Sequence, residues 1–264
     1  MAAAAGSPSG VLSTALRCSR EAVDAAVSIV LGPLCAACHE PLDEPTRGAV
    51  CQSCWSSIVP ITPPCCRTCG DPLPTWRRSA EMRLSPDAAD DRCRRCVRMN
   101  PPIAMARSIG AYEGSLRAIV HALKYDPRRT IARHLAARMR VAGAGVLADV
   151  DLAVPVPLHP SRERTRGFNQ ARELARHLGP PMLDALVRTR RTASQADLPA
   201  ARRHANVRGA FSCCREDVAD ATIVLVDDVS TTGATLSACA AALMEAGAQE
   251  IRALTAAKAV ARRP

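Results

Sequence analysis

The spacing of apolar residues divides this chain into three parts. Near the start, residues 11–31 carry apolar side chains at helical intervals, until a Gly-Pro pair ends the pattern. A middle stretch is rich in cysteine and proline and shows little periodicity. After it, short apolar runs alternate with amphipathic stretches. We therefore predict a tail and helix, a cysteine-rich module and a larger domain, over residues 1–34, 35–100 and 101–264 in that order.

The larger domain shows the alternation of strand and helix patterns that is typical of α/β proteins. Strands are predicted at residues 151–158, 223–226 and 250–259. Helices are predicted at residues 168–178, at 234–246, and across 114–140 with a break near Asp126-Pro127. Because parallel strands need crossovers between them, this order predicts a parallel, doubly wound sheet.

Composition adds an aliphatic core and a basic surface to this picture. Apolar residues make up 48% of the 264 positions, but aromatic residues only 2%. The net charge is +10, and residues 155–209 hold eleven basic and four acidic side chains. Such an excess indicates an anionic partner. Since nearly all cations are arginine, Lys124 is a candidate site residue, with an ordinary helix-surface lysine as the alternative.

The middle module carries a pattern that is specific for metal binding. Eight of the 13 cysteines form four C-x-x-C pairs, which are Cys35/Cys38, Cys51/Cys54, Cys66/Cys69 and Cys93/Cys96. A C-x-x-C turn points two thiolates at one tetrahedral ion, and a second turn completes the site. We predict structural zinc, held by the first four and the last four cysteines. A cross-braced pairing is the alternative.

The sequence predicts a protein of a reducing cytoplasm. Cysteines grouped for metal binding are typical of intracellular proteins rather than of disulfide-rich secreted ones. The start, MAAAAGSPSG, lacks the basic segment of a secretory signal, and no run of 18 apolar residues occurs. We therefore expect no membrane-spanning segment and no membrane partner.

The stretch IVLVDDVSTTGATL combines a strand, two acids and a hydroxyl-rich loop. Four apolar residues predict a buried strand, and Asp227 and Asp228 are placed at its carboxyl end, where ligands bind in parallel sheets. The following loop opens a helix, so its N–H groups and hydroxyls can surround an anion. A phosphate in the loop and a diol at the carboxylates together predict a phosphorylated ribose as ligand.

The same stretch resembles the phosphoribosyl pyrophosphate (PRPP) signature of type I phosphoribosyltransferases. The resemblance implies that Asp227 and Asp228 bind the ribose hydroxyls. It implies that the 5′-phosphate is bound by Thr231, Thr232, Gly233, Ala234 and Thr235. Further stretches, VPVPLHPSRERTRGFNQARELA and RTRRTASQADLPAARRHANVRGAF, are similar to the ComF (ComF/GntX) family. This resemblance extends over about residues 35–260 and implies a double zinc ribbon before a phosphoribosyltransferase-like domain.

Two further site regions follow from the resemblance. Pyrophosphate, with Mg²⁺, would be bound by Val156, Pro157, Leu158 and His159, with Arg162 and Arg166 as charge partners. A flexible loop would close over PRPP, with Gln195, Arg202, Asn206 and Arg208 as candidates. The implied activity is transfer of a 5-phosphoribosyl group to a nitrogen acceptor, with release of pyrophosphate.

A second class of function remains open at this stage. ComF relatives are associated with DNA uptake, and a zinc module beside a basic segment is compatible with binding of single-stranded DNA. The six aromatic residues of the chain offer little surface for stacking of bases, which argues against this alternative.

Overall fold

A four-stranded parallel sheet forms the centre of the larger domain. The computed structural model describes the backbone of residues 8–18 and all atoms of residues 19–73, 91–125, 130–190 and 205–260. The strands lie in the order β1-β6-β5-β2 and all pair in parallel. Their bounds are β1 Met105–Ala111, β2 Leu152–Pro155, β5 Thr222–Ser230 and β6 Glu250–Lys258. This topology confirms the predicted fold class.

Helices cover both faces of this sheet because successive residues of a strand point to opposite sides. Val224 and Val226 of β5 pack in one apolar cluster, while Ile223 and Leu225 pack in another. The described helices of the larger domain include α4 Gly114–Tyr125, α5 Thr130–Ala142, α6 Ala144–Leu147, α7 Pro160–Arg166, α8 Gln170–Ala175 and α9 Ala234–Glu245. Two short antiparallel strands, β3 Leu186–Arg188 and β4 Phe211–Cys213, form a separate hairpin.

The element bounds differ from the prediction in informative ways. β5 extends four residues beyond the predicted end at 226, because its last residues pair with the end of β6. β2 ends at Pro155, three residues before the predicted end at 158, because a second proline at 157 removes another backbone donor. The helix predicted over 168–178 covers Gln170–Ala175. The sequence analysis did not predict β1 or the hairpin, and the break near Asp126-Pro127 lies outside the described residues.

The described residues before β1 form the helix α1 Pro8–Leu31 and a cysteine-rich module of small knuckles, which includes the helices α2 Gln52–Ser56 and α3 Arg94–Met99. We call residues 33–60 the first ribbon, and residues 61–73 with 91–100 the second ribbon. α1 is attached to the first ribbon, since Asp24 Oδ1 accepts a hydrogen bond of 2.8 Å from Thr46 N. Among the described helices, none is both long and apolar enough to cross a membrane.

Both ribbons pack against β1, the last strand at one side of the sheet. Ala111 N donates to Val59 O of the first ribbon at 3.0 Å, and Ala106 N donates to Arg67 O of the second at 2.8 Å. The first ribbon also contacts α5, where the guanidinium of Arg138 lies 3.9 Å from the centre of the Trp55 ring. The ribbons are therefore joined to the sheet by backbone hydrogen bonds.

The close approach of the first ribbon to β1 depends on a glycine. A Cβ placed on Gly110 would lie 2.3 Å from Val59 O, which is backbone and cannot rotate away. We expect Gly110→Ala to lower the free energy of unfolding by about 1–3 kcal/mol, through forced displacement of the ribbon. Thermal and urea unfolding measure the change. Gly145→Ala is the matched control, since nothing lies within 4 Å of its Cβ; equal stability of the two variants would contradict the prediction.

Candidate functional site

The eight paired cysteines form two groups of four in the structure. The groups are Cys35, Cys38, Cys51 and Cys54, and Cys66, Cys69, Cys93 and Cys96. Within each group, all sulfur atoms lie within 4.8 Å of one another. The grouping is therefore sequential, and the cross-braced alternative is not what the structure shows.

The distances between sulfurs fit a tetrahedral zinc ion. With Zn–S bonds of about 2.3 Å, the edge of a regular ZnS₄ tetrahedron is about 3.8 Å. The Cys35–Cys54, Cys38–Cys51 and Cys69–Cys93 sulfur pairs are 3.9, 3.7 and 3.8 Å apart. Backbone N–H groups also point at the sulfurs, such as Cys93 N at 3.2 Å from Cys66 Sγ. Each group therefore has the donors and the size of a closed, structural zinc site.

The hydroxyl-rich loop lies between β5 and α9, as the sequence predicts. We call residues 231–235 the phosphate loop. Gly233 is the residue before α9 and has φ of 77°, a left-handed conformation that other residues rarely adopt. The loop, together with Asp227, lines a small concave space that is open to solvent. Because α9 is twelve residues long, the N–H groups of its first turn favour an anion in this space.

The two acids lie within β5 rather than beyond its end. Since neighbouring strand residues point to opposite faces, they meet different partners. Asp228 is buried, and its Oδ2 is 3.0 Å from the Nζ of Lys124 at the end of α4. Asp227 is half-buried, and its Oδ1 accepts a hydrogen bond of 2.8 Å from Asp228 N. Lys124, predicted from composition, is thereby placed at the site.

Burial and charge give these groups unusual protonation. Burial, reinforced by the negative charge of Asp228, raises the pKa of Asp227 to about 7. Burial alone would lower the pKa of Lys124, but the charge of Asp228 and the hydrogen bond to it raise the pKa above its usual range. Lys124 is therefore a permanent cation beside the acids, while Asp227 exchanges a proton near neutrality.

The raised pKa of Asp227 predicts a specific dependence of stability on pH. Between pH ~4 and ~7 the folded state keeps a proton that the unfolded state releases, so stability falls as pH rises through this window. We expect the decrease in the free energy of unfolding over this window to be about 2–4 kcal/mol smaller in Asp227→Asn than in wild type. Urea unfolding at pH 5 and pH 8 measures this decrease. The exposed Asp43→Asn is the control; a decline in Asp227→Asn as large as in wild type would contradict the assignment.

The loop after β2 lies beside the two acids. Val156 N donates to Val226 O at 2.9 Å, which aligns the two strand ends. His159 caps α7, and its Nδ1 accepts from Ser161 N at 3.2 Å. Of the arginines predicted in α7, Arg162 is half-buried. Arg166 is held by Gln170 at 3.1 Å, and its guanidinium lies 5.2 Å from the centre of the Tyr125 ring.

The flexible-loop candidates are only partly described. Gln195 and Arg202 lie outside the described residues. The carbonyls of Asn206 and Arg208 both accept hydrogen bonds from Arg190, at 3.2 and 2.9 Å, which closes the base of the β3–β4 connection. The role of these four residues at a ligand stays a prediction.

Two site residues were missed by the sequence analysis. Arg188 in β3 is half-buried against the Phe211 ring, at 5.3 Å, and burial together with the charge of Arg162 lowers its pKa. Lys258 ends β6 and reaches the phosphate loop, with its Nζ 3.2 Å from Thr231 O. A signal for Lys258 existed, because Lys124 and Lys258 are the only lysines of the chain.

Comparison with known proteins identifies both parts of the chain. Residues 26–97 match the double zinc ribbon domain, and residues 164–264 match the phosphoribosyl transferase domain. The chain thus joins two zinc ribbons to a domain of the phosphoribosyltransferase class. Among curated relatives, Competence protein F of Haemophilus influenzae is 30% identical over 78% of this chain and 89% of the relative. This chain belongs to the ComF family.

Two further curated relatives are similar to this chain over most of their own length. DNA utilization protein YhgH of Salmonella typhi is 31% identical over 83% of this chain and 94% of its own length. Competence protein ComFC of Bacillus subtilis is 27% identical over 75% and 79%. A solved structure of the allosteric regulatory enzyme of purine biosynthesis aligns with a TM-score of 0.34 and 23% identity, over 52% of this chain and 30% of that one.

Proposed function

We propose that this protein binds PRPP and transfers its phosphoribosyl group to a nitrogen acceptor. The observation that carries this proposal is that Asp227 lines the same concave space as the phosphate loop, with Asp228 next to it in β5. In the proposed complex the loop would bind the phosphate of a ribose 5-phosphate unit and the acids its diol. An anion-binding loop alone would accept any phosphate. With two hydrogen-bond acceptors nearby, the site would favour a phosphorylated sugar over a free phosphate. The match to the phosphoribosyl transferase domain supports it.

The pyrophosphate of PRPP would lie on the other side of the acids. Arg162, Arg166 and Arg188 provide cationic side chains there, and Arg188 is close enough to Arg162 for mutual repulsion to lower its pKa. Positive groups that repel one another in the free protein are stabilised by an anion placed between them. Mg²⁺, when bound with the substrate, would neutralise part of the pyrophosphate charge.

The proposed reaction needs no covalent enzyme intermediate. The lone pair of an acceptor nitrogen forms a bond to C1 of the ribose, while the bond from C1 to the pyrophosphate oxygen breaks and its electrons leave with pyrophosphate. The nitrogen then loses a proton to solvent. The protein contributes positioning of the reactants and stabilisation of the leaving anion by its arginines. Asp227 and Asp228 orient the sugar and, as anions, favour the positive charge that develops on it.

Isothermal calorimetry of the zinc-loaded protein with PRPP tests the proposal. We expect micromolar binding that requires Mg²⁺, and weak competition by ribose 5-phosphate, which lacks the pyrophosphate. Transfer is then assayed by release of pyrophosphate with a set of nitrogenous bases. Absence of PRPP binding by well-folded protein would refute the proposal.

A second candidate function is binding of single-stranded DNA. It is favoured by the names of the relatives, which refer to competence and DNA utilization, and by the arginines of α7 and the segment around it. Binding through phosphate contacts weakens steeply as salt rises, whereas PRPP binding depends on Mg²⁺ and on the two acids. Titration of a fluorescent oligonucleotide at 50 and 200 mM salt therefore separates the two functions.

A further inference from the structure

Lys258 connects two parts of the molecule that are far apart in the sequence. Its side chain is 1% exposed, and its Nζ lies 3.2 Å from Thr231 O of the phosphate loop. The same Nζ lies 3.1 Å from Asp71 Oδ1 of the second ribbon. Burial of an ammonium group is costly unless it is paired and hydrogen-bonded, so both contacts are required for Lys258 to occupy this position.

The second ribbon fixes the position of Asp71. The backbone carbonyl of Asp71 accepts a hydrogen bond of 2.8 Å from Cys66 N, within the knuckle that holds the second cysteine cluster. Its side chain also accepts a bond of 2.9 Å from Arg95, which lies between Cys93 and Cys96 in the chain. Asp71 is therefore tied to both halves of the second cluster.

The contact with Thr231 O orients the peptide group that begins the phosphate loop. In a planar trans peptide, the carbonyl oxygen of one residue and the N–H of the next point in opposite directions. Since the Thr231 carbonyl points to Lys258, the N–H of Thr232 points away from it. The loop binds an anion through such N–H groups, so the contact fixes one donor before a ligand arrives.

We propose that Lys258 and Asp71 are positioning residues through which the second zinc ribbon holds the phosphate loop in its anion-binding conformation. The identity of the anion rests on the proposed function, but the mechanical link does not. The ribbon thereby takes part in ligand binding without contacting the ligand, and loss of its metal loosens the loop.

Amide hydrogen exchange of residues 231–235 tests this link directly, in the full-length zinc-loaded protein. The variants are Lys258→Met, Asp71→Asn and the double variant. Methionine is one atom shorter than lysine, fills most of the same space and removes the buried charge, so folding is expected to persist. We expect each single variant to exchange about tenfold faster in the loop, while α5 and the zinc content stay unchanged. Arg107→Met, which removes a contact with Arg67 O but none with the loop, is the control.

The double variant distinguishes a link from independent damage. Residues acting through one chain of contacts are non-additive, so we expect the double variant to exchange no faster than the faster single one. Additive acceleration, or unchanged exchange in both single variants, would overturn the proposal.

Calorimetry with PRPP separates this proposal from the proposed function. We expect Lys258→Met to weaken PRPP binding by about tenfold, because a prepositioned N–H donor and a nearby cation are lost. If wild-type protein binds no PRPP, the proposed function fails, while the exchange experiment still decides the link. If wild type binds PRPP and Lys258→Met binds it equally well, the link has no role in binding.

Discussion

Replacement of both Asp227 and Asp228 by alanine is expected to abolish PRPP binding. Hydrogen bonds to charged groups contribute about 1.5–3 kcal/mol each, so the loss of two acceptors lowers affinity by roughly 10²–10⁴-fold. The loss should be larger than the effect of any single change at the phosphate loop, where several N–H groups share one phosphate. Calorimetric titration of wild type and the double variant with PRPP and Mg²⁺ measures the change.

The two acids should also differ from each other. Asp228 neutralises Lys124, so Asp228→Asn leaves a buried ammonium without its anion and lowers stability as well as affinity. Burial disfavours the ionised form of Asp227, so Asp227→Asn should weaken binding without destabilising the fold at neutral pH. Unfolding curves for both single variants separate these effects. Full PRPP affinity in the double alanine variant would show that the ligand binds elsewhere.

Removal of one zinc ion is expected to unfold the ribbon that holds it. Apparent zinc-binding free energies in small zinc domains are about 10–16 kcal/mol, which exceeds what so small a core supplies by itself. We expect two zinc ions per wild-type chain, and one in Cys35→Ser and in Cys66→Ser. Metal analysis of purified protein and chromogenic titration of released zinc measure the content, and limited proteolysis locates the unfolded ribbon.

The cysteines offer their own control for this experiment. Cys214 is exposed and belongs to neither cluster, so Cys214→Ser should keep two zinc ions and wild-type resistance to protease. If Cys35→Ser loses one zinc ion and retains the other, the second ribbon folds without the first. Two zinc ions in both ligand variants would contradict the assignment of the clusters.

The zinc clusters and the fold class were predictable because their signals are local. A C-x-x-C pair fixes its own turn, and the IVLV run followed by acids and a Gly-containing loop determines a strand, a turn and a helix without distant information. The candidate ligands therefore came from spacing alone. Lys124 came from a different signal, the scarcity of lysine in an arginine-rich chain.

The remaining features depend on contacts between distant segments. β5 continues through Asp228 because β6 provides a partner as far as Lys258, and nothing near residue 226 signals this extension. Arg188 begins the stretch RTRR, where no local pattern distinguishes it from the neighbouring arginines. Only the fold brings it beside Arg162. The pairing of Lys258 with Asp71 joins the last strand of the larger domain to the second ribbon, and no local pattern predicts such a pair.

The attachment of the ribbons to β1 has a consequence for the behaviour of the protein in cells. β1 is an edge strand, and an uncovered edge presents unpaired N–H and C=O groups to the strands of other chains. Val59 and Arg67 occupy these groups at Ala111 and Ala106, and they lie in segments shaped by the zinc clusters. When zinc is scarce, newly made chains would expose this edge and pair with one another through it, so metal supply would set how much of the protein escapes self-association.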